Sequence, residues 1–173
     1  MSKIAIKWEG TIDKYIGDAI LIFFGDPVEK GVRQDAVSCV SMALEMLEKI
    51  DELRYEWRER GLTINLNVRI GIHSAICTVG NFGSEDRLDY TVIGNGVNLA
   101  SRLESNAKSN TILISEETFL LVKDKFICES QEEIFLKGIS YPIQTHLVKS
   151  LSLNDSKTLN SISEKVPGLK IHL

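Results

Sequence analysis

The sequence lacks any run that could span a membrane. Its longest apolar stretch, Ala19 to Phe24, falls far short of the ~20 residues a spanning helix requires, and no signal-peptide pattern follows Met1. The chain is therefore expected to be soluble and cytoplasmic, with no membrane contact of its own, although a full-length protein containing it can be membrane-tethered. Paired cysteines are also lacking. Cys39, Cys77 and Cys128 are odd in number and far apart, which fits neither a disulfide framework nor a zinc site, so reduced thiols are expected. Positive charge is short: 20 Lys and Arg stand against 24 Asp and Glu, a net charge of -4. That balance argues against a nucleic-acid partner and leaves any anionic ligand to a few placed cations. There is no Walker motif and no Gly-x-Gly-x-x-Gly ahead of a helix, which disfavours the common phosphate loops. His73, His146 and His172 have no partner at metal-ligand spacing, so core or surface roles are expected. Internal repeats and low-complexity tracts are absent.

What is present is one domain's worth of core: 173 residues, 43% of them hydrophobic. Met1 to Trp8 reads as the last turns of a helix whose start is not in the chain. Thr11 to Ile16 and Ala19 to Phe24 read as strands joined by a tight turn at Gly17-Asp18, where glycine supplies a positive φ. Asp35 to Arg58 is periodic as a long amphipathic helix, with Val37, Val40, Leu44, Leu47, Ile50, Leu53 and Trp57 on its apolar face. Alternation predicts a strand over Ile64 to Ala75, extended by Ile76 to Val79, and a short one over Thr91 to Ile93. Val97 to Ala107 and Glu116 to Lys123 read as helices, and Thr111 to Ser115, Ile134 to Lys137 and Gln144 to Val148 as strands. From Leu151 Ser and Asn become frequent and periodicity fades, which predicts a domain over 1–150 and a flexible tail over 151–173. Interleaved helices and strands with at least one hairpin give the class α+β, with helices expected on one face of the sheet.

Several side chains carry possible chemistry. Asp18 sits in a turn at the rim of the sheet, where a hard cation could reach its carboxylate, although a turn Asp usually bonds its own backbone. Asn98 and Arg102 lie four apart on a helix and share a face, and an amide beside a guanidinium can hold phosphate oxygens. The alternative is an exposed polar face in which Arg102 pairs with Glu104 or Asp89. Gly80, Gly83 and Gly94 would let backbone approach a ligand, but a hairpin needs glycine without one.

Four segments in order carry a resemblance: Glu9-Gly10-Thr11-Ile12-Asp13-Lys14-Tyr15-Ile16-Gly17-Asp18-Ala19-Ile20, Val68 to His73, Val79 to Ser84, and Asp89 to Glu104 with Val97-Asn98-Leu99-Ala100-Ser101-Arg102. Together they resemble the class III adenylate and guanylate cyclase catalytic domain over residues 1 to 148. The resemblance implies a ferredoxin-like, palm-type mixed sheet. It also implies a head-to-tail homodimer, or a pairing with another cyclase domain, whose active sites are composed across the interface. Asp18 matches the second metal aspartate of a site for two Mg2+ or Mn2+ ions. Asn98 and Arg102 match the transition-state pair, Lys14 and Thr91 the residues that read the purine, and Lys137, in Leu136-Lys137-Gly138, a lysine for the terminal phosphates. A hydroxyl and an ammonium suit the donor and acceptor of adenine, whereas guanine would favour a carboxylate at position 14, so ATP is the expected substrate and GTP the alternative.

One departure stands out. The family's first metal aspartate lies on a strand ahead of the helix in which this sequence opens, so the fold is expected to lack its first strand and to leave a sheet edge exposed. Asp13 and Asp26 are too close in sequence to Asp18 to substitute. A catalytic adenylate cyclase domain in a longer protein is thus weighed against a non-catalytic dimerisation or nucleotide-binding module, and against an unrelated α+β binding domain. The isolated chain is expected to cyclise ATP little or not at all. The Gly-Gly-Asp/Glu-Glu-Phe turn of diguanylate cyclases is absent.

Overall fold

The computed structural model of the chain describes residues 1–84, 87–135 and 141–152. Helix α1 (Ser2–Lys7) leads through Glu9, at φ 64°, into the hairpin of β1 (Thr11–Ile16) and β2 (Ala19–Phe23). Gly17 takes φ 62° in its turn, the left-handed conformation that glycine tolerates without a Cβ penalty. The hairpin register breaks once. Ile12 faces Ile22 and Lys14 faces Leu21, so Asp13 is the extra residue of a β-bulge. Helix α2 (Val32–Glu59) follows, and Ala5 of α1 is buried against its Met42 and Met46.

Then come β3 (Arg69–Ile72), the antiparallel hairpin of β4 (Thr78–Ser84) and β5 (Arg87–Ile93), α3 (Asn95–Asn106), β6 (Thr111–Ser115), α4 (Glu116–Val122), β7 (Phe126–Ser130) and β8 (Thr145–Leu151). The main sheet has the order β3-β6-β8-β7; β3 and β6 are parallel and the other pairs antiparallel. This mixed sheet with packed helices bears out the α+β, palm-type expectation.

The helices do not share one face. Ala36, Val40 and Ala43 of α2 and Val122 of α4 pack with Ile72, Ile112, Ile114 and Val148. Leu99, Leu103 and Ala107 pack with Leu113 and Ile143 on the opposite side. The reason lies in β6, whose run Ile112-Leu113-Ile114 is apolar to both sides, as a strand covered twice must be. On α2 the residues in full burial include the small Ala36 and Ala43 and the adaptable Met42 and Met46, whereas Leu53 and Trp57 remain partly accessible.

Other boundaries differ too. Of the strand expected over Ile64 to Ala75, only Arg69–Ile72 pairs; Leu62, Ile64 and Leu66 are exposed, and His73 lies just past the strand. The Leu66 carbonyl is taken by the Arg54 guanidinium at 2.8 Å and the Val68 carbonyl by the Asn110 amide at 2.6 Å, so neither enters a ladder. Ile76 is fully exposed in the connection to β4. Of Ile134 to Lys137, Ile134 makes an isolated bridge with Ile143, and Lys137 lies outside the described residues, as does the tail beyond Ser152. Strand β7 was not legible in the sequence.

Among the described residues no strand separates β2 from β3. They belong to different sheets, yet Ile22 and Ile70 join one apolar cluster with Met42 and Met46. No helix among the described residues is long and apolar enough to cross a membrane. All three cysteines are free thiols, and burial pushes Cys39 up to about 12.

Candidate nucleotide site

The candidate residues fall on two packed strands and on a helix seated on the main sheet. Lys14 lies on β1 and Asp18 in its turn, both exposed; Thr91 lies on β5, which packs against β1; Asn98 and Arg102 lie on α3. Helix α3 is seated on the sheet through glycine. A Cβ at Gly71 of β3 would stand 2.2 Å from the Glu104 nitrogen and 2.4 Å from the Ala100 oxygen, so only glycine admits this crossing. Under its first turn, a Cβ at Gly96 would meet Ala75 at 2.7 Å. The backbone there is fixed by packing. Of the glycines singled out as approach points, Gly83 is instead filled by the Arg87 backbone across the hairpin, and Gly94 rests against Cys77.

The polar groups of the site are free of one another. Glu104 is bound to Arg69 at 2.9 Å and Asp89 lies 3.6 Å from Arg87, so the two alternative partners of Arg102 are engaged elsewhere. Among the described residues neither the Arg102 guanidinium nor the Asn98 amide has a side-chain partner. The Thr91 hydroxyl is buried and unpartnered. Such a group is costly unless something completes its bonding.

Asp18 meets no cation among the described residues, and no group of three His, Cys, Asp or Glu there could hold a metal ion. Its hard carboxylate oxygens fit one ligand position of Mg2+ or Mn2+, ions that are held by one or two carboxylates together with substrate phosphates. Asp26 does not join it, since its carboxylate accepts from the Tyr90 hydroxyl. Asp13 does not either: its side chain is 1% exposed, within β1, beside the Lys14 ammonium at 3.5 Å. Sequence reasoning treated Asp13 only as a failed metal ligand, because a bulge in the middle of a strand leaves no mark on composition.

The two histidines among the described residues make structural contacts, and His172 lies outside the described residues. His73 Nδ1 lies 2.8 Å from Ser115 Oγ, and burial lowers its pKa more than the carboxylate of Glu117, 3.7 Å away, restores it. His146 in β8 bonds Glu116 at 2.5 Å and stacks on Phe119 with ring centroids 3.9 Å apart.

Comparison with known proteins places this arrangement. Residues 11–150 match the family described as the adenylate and guanylate cyclase catalytic domain. An adenylate cyclase of Anabaena cylindrica is 39% identical over 119 residues, 67% of this chain and 23% of that protein. The crystal structure of the adenylyl cyclase CyaB from P. aeruginosa superposes with a TM-score of 0.84 at 49% identity, over 88% of this chain and 78% of that one. The guanylyl cyclase Cya2 superposes with a TM-score of 0.80 at 32% identity, over 88% of this chain and 76% of that one. The chain spans less than a quarter of the length of the Anabaena relative.

Proposed function

The chain belongs to the adenylate and guanylate cyclase catalytic-domain family, and from that premise we propose that residues 1–150 are the nucleotide-cyclising domain of an adenylate cyclase acting in intracellular signalling, with 151–173 a tail. The reaction is attack of the ribose 3′-oxygen of ATP on the α-phosphorus. The bond to the β-phosphate bridge breaks, pyrophosphate leaves, and the hydroxyl proton passes to solvent or base. The observation that carries the reading is the set of unpartnered polar groups: the buried Thr91 hydroxyl on β5, and Asn98 and Arg102 four residues apart on α3.

Lys14 donates to the purine N1 and the Thr91 hydroxyl accepts from the N6 amine, which selects adenine. Asn98 orients the ribose and Arg102 balances charge growing on the α-phosphate; preorganised donors of this kind are worth ~3 kcal/mol each. Lys137 holds the terminal phosphates. Mg2+ or Mn2+, when bound, acidifies the ribose hydroxyl and neutralises the triphosphate, with Asp18 as one ligand. Asp18 is one carboxylate of what the family holds as a two-carboxylate site, so a further carboxylate is needed to complete it. The site forms between two cyclase domains head to tail, in a homodimer in the cytoplasm.

GTP is the competing substrate, since guanylyl cyclases superpose nearly as well. A non-catalytic nucleotide-binding module is the other reading, favoured by the single carboxylate. Titration of the chain with ATP and with GTP, alongside an assay for cyclic AMP, discriminates among them. The expected result is tighter binding of ATP, a loss of about tenfold or more on Arg102→Ala, and little turnover by the chain alone. Preference for GTP overturns the base assignment, and indifference of ATP binding to Arg102→Ala overturns the site. Robust cyclic AMP production by the chain alone, abolished by Asp18→Ala, removes the need for a further carboxylate.

A further inference from the structure

We infer that Asp13 is a specificity-determining positioning residue: its buried carboxylate holds the Lys14 ammonium at the place where the purine edge is read. The inference rests on the reading of Lys14 given above.

Neighbouring side chains on a regular strand point to opposite faces, so Asp13 and Lys14 should not meet. The bulge alters that. With Ile12 opposite Ile22 and Lys14 opposite Leu21, Asp13 has no partner residue on β2, and the extra residue re-aims its neighbours. The Asp13 Oδ2 to Lys14 Nζ distance is 3.5 Å. The two ends of the pair differ in environment: the aspartate side chain is 1% exposed and the lysine 47%. The carboxylate is therefore fixed by its surroundings, and the ammonium is the mobile end that it restrains.

Bonding within the protein does not otherwise account for Asp13. Neither of its oxygens has a hydrogen-bond partner, although both are out of solvent. A buried carboxylate is normally paired and bonded, because leaving it bare is expensive. Lys14 is its only ion-pair partner among the described residues. A lysine on a flexible stem reaches many places, and a fixed anion beside it narrows these to one side of β1. Thr91, the other group assigned to the base, lies on the strand that packs against β1, and its hydroxyl is likewise buried and unpartnered.

The test separates restraint from selection. In the nucleotide-free chain, the Lys14 ε-methylene signals should be dispersed and ordered by NMR, and should collapse towards free-lysine values in Asp13→Asn. Equal order in both proteins overturns the pair whatever the substrate is. In nucleotide titrations, Asp13→Asn should lower the preference for ATP over GTP about tenfold, while in a Lys14→Met background the same substitution should leave the preference unchanged. An equal fall in both backgrounds, or none, overturns the role in selection. If the unaltered chain shows no preference and Lys14→Met changes nothing, the assignment of Lys14 itself has failed, and the NMR comparison still decides the pair. Asp13→Ser serves in the same scheme should Asp13→Asn not fold.

Discussion

His73 illustrates how a single side chain ties the sheet to the helix that bears the candidate site. Its ring, 8% exposed, bonds Ser115 at the start of α4, and its Cδ2 lies 3.4 Å from where a Cβ of Gly96 would be, in the first turn of α3. Burial holds its pKa below the ordinary 6.5, against a smaller upward pull from Glu117. The sign follows directly. Above pH 6.5 the ring is neutral in both folded and unfolded chains and its contribution is complete. As pH falls below 6.5 the unfolded chain takes up the proton first, so stability is lost until the lower folded pKa is reached. Urea midpoints at pH 7.5 and 5.5 should therefore drop more in the parent chain than in His73→Gln, which cannot titrate; equal drops would mean the ring is not held neutral. Residue identity alone suggested that His73 was structural, but not that it lies beneath α3. Likewise Lys14, Thr91, Asn98 and Arg102 were singled out from ordered segments, whereas burial of Asp13 required the bulge.

At the scale of elements, legibility followed the strength of local pattern. The first hairpin, α3, β6 and α4 lie within two residues of where their turn chemistry and periodicity put them, because glycine at 17 and a run such as Ile112-Leu113-Ile114 admit few alternatives. Residues 62–68 alternate as a strand does but meet no neighbouring strand, and β7 buries Phe126 while leaving Ile127 half exposed, so its pattern is faint. Long-range pairing decides both. The segment 62–68 is held instead by Arg54, 14% exposed, whose guanidinium reaches the Leu66 carbonyl at 2.8 Å, Asp51 at 2.6 Å and the Asn110 side chain at 2.5 Å. Removing it leaves those acceptors without their donor. Arg54→Ala should cost about 1–3 kcal/mol in urea denaturation and speed amide exchange across 62–68. Arg54→Lys should recover little, since one ammonium cannot span three acceptors. Unchanged exchange would show that the segment is held by its chain ends alone.

For the whole molecule, the candidate site is bordered by apolar side chains left exposed on one chain. Tyr15, Ile16, Leu88, Tyr90 and Ile93 are exposed on β1 and β5, the two packed strands that also bear Lys14 and Thr91. Apolar side chains gathered around a polar site are suited to an interface between copies, and a charge of -4 per copy opposes assembly only weakly at ordinary ionic strength. If nucleotide is bound between two chains, binding and assembly are linked: whatever ATP gains from the dimer, the dimer gains from ATP. Sedimentation equilibrium should then show a dimer that tightens when ATP and Mg2+ are added. Arg102→Ala should leave the nucleotide-free dimer unchanged and abolish the tightening, because it removes a contact to nucleotide and none between chains. Leu88→Lys, which puts a charge into the apolar surround, should weaken the dimer with or without nucleotide. A chain that stays monomeric with saturating ATP, yet binds it with the loss on Arg102→Ala described above, would place the whole nucleotide contact on one chain and exclude the composite site.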